Sequence, residues 1–184
     1  MITFEQARQI ALNKIGPDCG LIEERTLVKP YGWYFMYQSN AWLRTRDDLH
    51  MLLGNGGFIV EREGGSIFEF GSLHPRERNI AAYEYGLRYA GQDLLVKKVY
   101  KLEKALDHLF RIVNFVESDA RAAARAAVAG LEYCPSPRYP RSRIEVMLQN
   151  PPCAFIDCSF FFRYEDFLKM ERSRCCEFEL GPRR

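Results

Sequence analysis

The chain has 184 residues, 47% of them hydrophobic and 27% charged, with a formal net charge of +2. Such a composition belongs to a folded protein of one ordinary domain or two small ones and excludes a disordered chain. The near-neutral balance gives no global attraction to nucleic acid or to an acidic membrane, although the half up to Asp93 leans acidic and the remainder basic.

The opening residues, Met1 to Gln6, have neither the basic nor the apolar region of a signal peptide, and no apolar run approaches a membrane span. A cytoplasmic chain with no membrane contact is expected. Thr3 is placed to cap a first helix, with Gln6 three residues on to complete a capping box. Phe4, Ala7, Ile10, Ala11 and Ile15 then recur at helical spacing until Gly16-Pro17 stops the helix.

Four strands are predicted next. They run from Leu21 to Val28, Trp33 to Gln38, Gly57 to Arg62 and Ser66 to Phe70, the last two joined by a turn at Glu63-Gly64-Gly65. Leu53-Gly54-Asn55-Gly56-Gly57 lacks the Lys-Ser/Thr and the following helix of a phosphate-binding loop and reads as a turn. A helix from Arg76 to Ala90 closes this half. The second half reads as a strand from Leu95 to Tyr100 and a helix carrying Leu102, Ala105, Leu106, Leu109, Phe110 and Val113. An alanine-rich helix from Glu117 to Gly130 and a proline-rich loop from Cys134 to Pro140 come next. A helix from Arg141 to Leu148, a strand from Cys153 to Phe162, a helix from Tyr164 to Arg172 and a strand from Cys175 to Leu180 complete it. The expected fold is α+β in two modules. Residues 1–92 form a helix on a four-stranded antiparallel sheet with a closing helix, and residues 93–184 form a small βααβαβ-like module.

Pieces of the first half resemble the immunity protein 35 family. They are Ile2 to Ala7, the aromatic strand Gly32 to Ser39, the turn Leu53-Gly54-Asn55-Gly56 with Phe58-Ile59-Val60, and the closing segment with Gly71-Ser72, Pro75, Ile80 and Tyr83-Glu84. The coverage is roughly residues 2–86. Gly57 departs from the pattern, which usually has proline there. The resemblance implies a bacterial protein that neutralises a cognate toxin by binding it. In the second half, Val96 to Val99, Leu102 to Leu109, Glu117 to Ala123 and Tyr164 to Leu180 resemble the C-terminal domain of the ribosomal stalk protein in element order. That likeness implies a module for protein docking.

The chemistry-bearing residues do not assemble into an enzyme motif. His50, His74 and His108 lie in no metal-ligand or nucleophile pattern, and His108 reads as structural beside an apolar helical stripe. None of the six cysteines forms a C-x-x-C pair. Cys153 and Cys158, and likewise Cys175 and Cys176, fall on opposite faces of a regular strand, which disfavours zinc. No catalytic residue, metal or cofactor is expected. Arg121, Arg125, Arg138, Arg141 and Arg143 lack the interleaved aromatics of a nucleic-acid surface.

Two stretches are candidates for partner binding. Strict alternation puts Phe58, Val60, Phe68 and Phe70 on an inner face and Ile59, Glu61, Glu63, Ile67 and Glu69 on an outer one, an acidic docking face for a basic partner or simply a solvated or covered face. The second is the connection from Asn40 to Asp48, where Trp42 stands with Arg44, Arg46, Asp47 and Asp48, a mixture common at interface hot spots. Trp42 can equally cover the end of the core. The function these readings suggest is stoichiometric occlusion of a cognate toxin; the alternative is a chaperone-like or adaptor protein. They leave the oligomeric state open.

Overall fold

The first helix, α1 (Phe4–Ile15), starts on the expected capping box. The Thr3 amide donates to Gln6 Oε1 at 2.9 Å and the Gln6 amide donates to Thr3 Oγ1 at 3.3 Å. The computed structural model describes residues 1–89, 91–114 and 138–182. The chain is α+β, and it divides into two units, Met1–Ile80 and Ala81–Arg184.

In the first unit the strands are β1 (Cys19–Leu21), β2 (Leu27–Lys29), β3 (Gly32–Phe35), β4 (Tyr37–Ser39), β5 (Asn55–Glu61) and β6 (Ile67–Gly71). The expected four-stranded antiparallel sheet is present in the order β2-β3-β5-β6, with a separate two-stranded sheet of β1 and β4. Two predicted strands are therefore each divided. The stretch Leu21–Val28 is interrupted by a 3-10 turn at Glu23–Arg25. The aromatic strand breaks at Met36, whose carbonyl accepts the Ile22 amide at 2.8 Å as the chain passes from one sheet to the other. Apolar content marks strand residues but carries no signal of which sheet each joins.

Ala7 and Ala11, one helical turn apart, bring α1 close to the sheet, where they pack with Trp33, Phe35, Phe58 and Val60. Phe4 adds ring contacts at 6.1 Å to Trp33 and 6.3 Å to Phe35. Segment 40–48, expected as a connection, begins with a short helix, α2 (Asn40–Thr45), capped by Ser39. The next helix, α3 (Arg76–Glu84), is shorter than expected because the chain turns at Gly86, which has φ 94°.

The division between the units falls inside α3, earlier than the expected boundary at 92. Leu87 and Arg88 belong to the second unit. Leu87 is fully buried, and the Arg88 carbonyl accepts the amides of Phe160 and Phe161 at 3.1 and 3.0 Å.

The second unit contains β7 (Gln92–Val99), α4 (Leu102–Val113), α5 (Arg141–Gln149), β8 (Cys153–Cys158), α6 (Tyr164–Ser173) and β9 (Cys176–Pro182). Its sheet is antiparallel with β7 in the centre, in the order β8-β7-β9. The predicted stripe of α4 is buried at Ala105, Leu106, Leu109 and Val113, together with Ile112. Asn114 fastens the end of α4. Its amide donates to the Tyr139 carbonyl at 2.9 Å and its Oδ1 accepts the Tyr139 amide at 2.7 Å. The alanine-rich stretch 117–130 and residues 134–137 of the proline-rich loop lie outside the described residues.

The predicted strand from Cys153 to Phe162 ends at Cys158. Asp157 has φ 52°, and the pairing slips so that Phe155 faces Leu94 while Cys158 faces Gln92. This bulge corrects the expected split of Cys153 and Cys158. One extra residue restores Cys158 to the face of Cys153 and Phe155. The Asp157 amide donates to Asp93 Oδ1 at 2.9 Å across the bulge.

Candidate partner-binding surface

The acidic face deduced from alternation does not form. In the β5–β6 hairpin Phe58 pairs with Glu69, Ile59 with Phe68, and Val60 with Ile67. Opposed residues in an antiparallel pair share a face, so Ile67 and Glu69 lie with Phe58 and Val60, while Ile59 lies with Phe68. The hairpin loop sets this register, and alternation within each strand carries no information about it. Ile59 is 0% exposed and cannot meet a partner. Glu69 forms an ion pair with Lys14 of α1. Glu61 is half-buried and Glu63 sits exposed in the turn. The three carboxylates therefore do not share one surface.

The second stretch is more informative. The Ser39 hydroxyl caps α2, accepting the Trp42 amide at 3.0 Å, and donates to the His50 carbonyl at 2.5 Å. Trp42 is half-buried, and its indole Nε1 meets no acceptor among the described residues. The Arg46 guanidinium stacks on the Trp42 ring at 4.4 Å, beyond the left-handed end of α2. Arg44, Asp47 and Asp48 are exposed. Asp47 Oδ1 accepts the Leu49 amide at 3.0 Å and so starts a 3-10 turn at Asp48–His50.

That turn leads into residues that the sequence reading passed over. In Leu49-His50-Met51-Leu52-Leu53 every side chain is exposed, Leu49 by 90% and Leu53 by 83%. The backbone beneath them is held firmly. Gln38, buried in β4, accepts the Leu52 amide at 2.7 Å and donates to the Leu52 carbonyl at 3.1 Å. Asn55 then donates to the Tyr37 carbonyl at 2.6 Å and accepts the Gly57 amide at 2.8 Å. The one available sequence signal was an apolar run too short for a core helix and bounded by Asp48 and Gly54.

A cleft of about 440 Å³ on the same unit is lined by Arg25, Tyr34, Met36, Arg76 and Glu77. Tyr34 donates to the Gly56 carbonyl at 2.8 Å, and burial pushes its hydroxyl up to about 12 against the opposing pull of Arg76 and Arg25. A phenol so committed is a structural tether and is unsuited to proton transfer near neutrality. Among the described residues no group of three His, Cys, Asp or Glu is arranged to hold a metal ion, and no helix is long and apolar enough to cross a membrane.

The first unit thus offers exposed apolar area on a fixed backbone beside a stacked cation, the means by which proteins dock to proteins. The comparisons agree with the resemblance read from sequence: residues 12–82 match the family described as Immunity protein 35. A curated relative, "Uncharacterized protein YrhB" of Escherichia coli (strain K12), is 36% identical over 53 residues, covering 29% of this chain. The match spans 56% of that relative's length. No solved structure matches the chain.

Proposed function

We propose that the protein is an immunity protein, which binds a cognate bacterial toxin in the cytoplasm and neutralises it by occlusion, without catalysis. The observation that carries this reading is the match of residues 12–82 to Immunity protein 35. The apolar strip from Leu49 to Leu53, with Trp42, Arg44, Arg46, Asp47 and Asp48 beside it, is the surface we assign to the toxin. Its exposed leucines have no role in the core, and a backbone already fixed lowers the entropic cost of association. Glu61, Glu63 and Ile67 are at most the rim of that contact.

The test is calorimetry against the product of the neighbouring gene. Incomplete inhibition leaves active toxin, so the expected dissociation constant is nanomolar or tighter, about −12 kcal/mol. One tight partner supports immunity. Several weak partners and no tight one would assign the protein to the adaptors.

A further inference from the structure

We propose that the cleft between Arg25 and Arg76 receives one acidic side chain of the toxin, an aspartate or glutamate that stands beside an apolar patch. The inference rests on the immunity reading above and names the chemistry of the partner. Arg25, Arg76 and Glu77 form the wall of the cleft, over a floor of Tyr34 and Met36. Two cations face one anion, so one positive charge is in excess.

That excess sits on Arg25. Its side chain is exposed and forms no ion pair among the described residues. The acidic residues just before it in the chain do not neutralise it: Glu23 is 2.8 Å from Arg8, and Glu24 does not line the cleft. Glu77 is engaged elsewhere. Its Oε1 accepts from both Nε and Nη2 of Arg76, at 3.0 and 2.8 Å, and its own backbone amide together with Arg76 holds the carboxyl below its ordinary range. The Nη1 side of Arg76 is left without a partner among the described residues. The backbone that carries Arg25 is fixed, with its amide donating to the Ile22 carbonyl at 2.9 Å and the Thr26 amide to the Glu23 carbonyl at 3.0 Å.

The Tyr34 hydroxyl senses the field at the floor. Burial raises it, Arg76 and Arg25 oppose that rise, and each arginine outweighs the contrary effect of Glu77. The floor itself brings no charge. The hydroxyl spends its proton on the Gly56 carbonyl at 2.8 Å, and the Met36 sulfur lies 3.4 Å from the same oxygen. The cleft is therefore a positive site above a neutral base.

The charge balance selects the ligand. A single carboxylate cancels the one excess charge and matches the planar fork of a guanidinium. A phosphate dianion would bring a second negative charge against Glu77, and an uncharged side chain would cover Arg25 without pairing it. Position ties the cleft to the toxin surface. Gly56, whose carbonyl Tyr34 holds, follows Leu53 by three residues, and three extended residues span at most about 11 Å. The Leu49–Leu53 strip and the cleft thus fit within one interface of ordinary size, about 800 Å² on each partner. The leucines meet the apolar patch of the toxin while Arg25 meets its carboxylate.

The test is calorimetry of the full-length protein against the product of the neighbouring gene. R25A should bind ~10-fold and R25E ~100-fold more weakly than the wild type. K169E makes the same change of charge at an exposed lysine of the second unit and controls for net charge. Circular dichroism checks each fold, and R25A decides alone should R25E unfold. Each exposed aspartate and glutamate of the toxin is then changed to lysine in turn, and one of these variants should bind R25E at least ~10-fold better than the unchanged toxin does. No tight binding by the wild type would overturn the immunity reading and this inference with it. Tight binding by the wild type, with R25E no weaker than K169E, would overturn the cleft alone. A weakened R25E that no lysine variant rescues would overturn the acidic ligand.

Discussion

The Gln38 side chain holds both backbone groups of Leu52, accepting its amide at 2.7 Å and donating to its carbonyl at 3.1 Å. A buried amide side chain in β4 therefore substitutes for a neighbouring strand and fixes the exposed loop above it. Gln38→Ala leaves two backbone groups without partners and should cost roughly 1–3 kcal/mol. Hydrogen exchange supplies the specific readout. The Leu52 amide should lose protection well before the amides of β5, and equal protection in the variant would show that the loop is held by something else.

Replacing Leu49 and Leu53 by aspartate tests the docking surface without disturbing the core. Both side chains are almost fully exposed, so stability should change by less than about 0.5 kcal/mol. Toxin affinity should fall ~100-fold, equivalent to about 2.7 kcal/mol. The comparison variant reverses Glu61, Glu63 and Glu69 to lysine, and should lose far less. If the triple-lysine variant is the weaker binder, the surface is wrongly placed.

Gly57 stands where the resembling family usually has proline, and here a proline is excluded. Its φ is 74°, and a Cβ would lie 2.4 Å from the Tyr34 hydroxyl oxygen and 2.6 Å from the Phe35 carbonyl. Proline is locked near −65°. G57P should therefore lower stability by about 3 kcal/mol or more, visible as a large fall in melting temperature. A near-neutral result would mean that the bulge at the start of β5 can be rebuilt.

Tyr34 links the same glycine loop to alkaline stability. Its folded pKa of about 12 lies above the ordinary 10.0 because burial disfavours the phenolate. Raising a folded pKa adds stability that is complete below pH 10 and is lost as pH rises from 10 to 12. The contribution is roughly 2–3 kcal/mol at neutral pH. Denaturant melts between pH 9 and 12 should show the decline, and Tyr34→Phe should remove a matching part of it. Identical slopes in the two proteins would dismiss Tyr34 as the source.

Much of this architecture was legible in the residues. The capping box at Thr3 and Gln6, the α1 stripe, the antiparallel sheet and the stripe of α4 all depend on local spacing, which a sequence displays directly. Register is different. Whether Ile59 lies with Phe68 or with Ile67 depends on the geometry of a turn, and the choice decided which face was buried. The bulge at Asp157 likewise changed the facing of Cys153 and Cys158 by a single residue, and β9 starts one residue later than expected, at Cys176. Within the surface proposed for the toxin, Trp42, Arg44, Asp47 and Asp48 are marked in the sequence by residue type. Leu49 to Leu53 are not, because an apolar run looks the same whether it is buried or held outward by Gln38.

The division of the chain into two units makes the last prediction. A core of Ala7, Ala11, Trp33, Phe35, Phe58 and Val60 lies wholly before residue 80. Leu87 is fully buried, and the Arg88 carbonyl is used by Phe160 and Phe161. Cutting at 92 would leave the Arg88 carbonyl on a fragment that lacks Phe160 and Phe161. A fragment of residues 1–86 keeps α3 whole and should melt cooperatively. It should also bind the toxin, since the Leu49–Leu53 strip and its Gln38 support are intact. Adding residues 87–92 should raise its tendency to aggregate, because Leu87 would then be exposed. If neither fragment melts cooperatively, the two units share one folding transition. If residues 1–86 fold but fail to bind, toxin recognition needs the second unit, and the surface assignment fails with it.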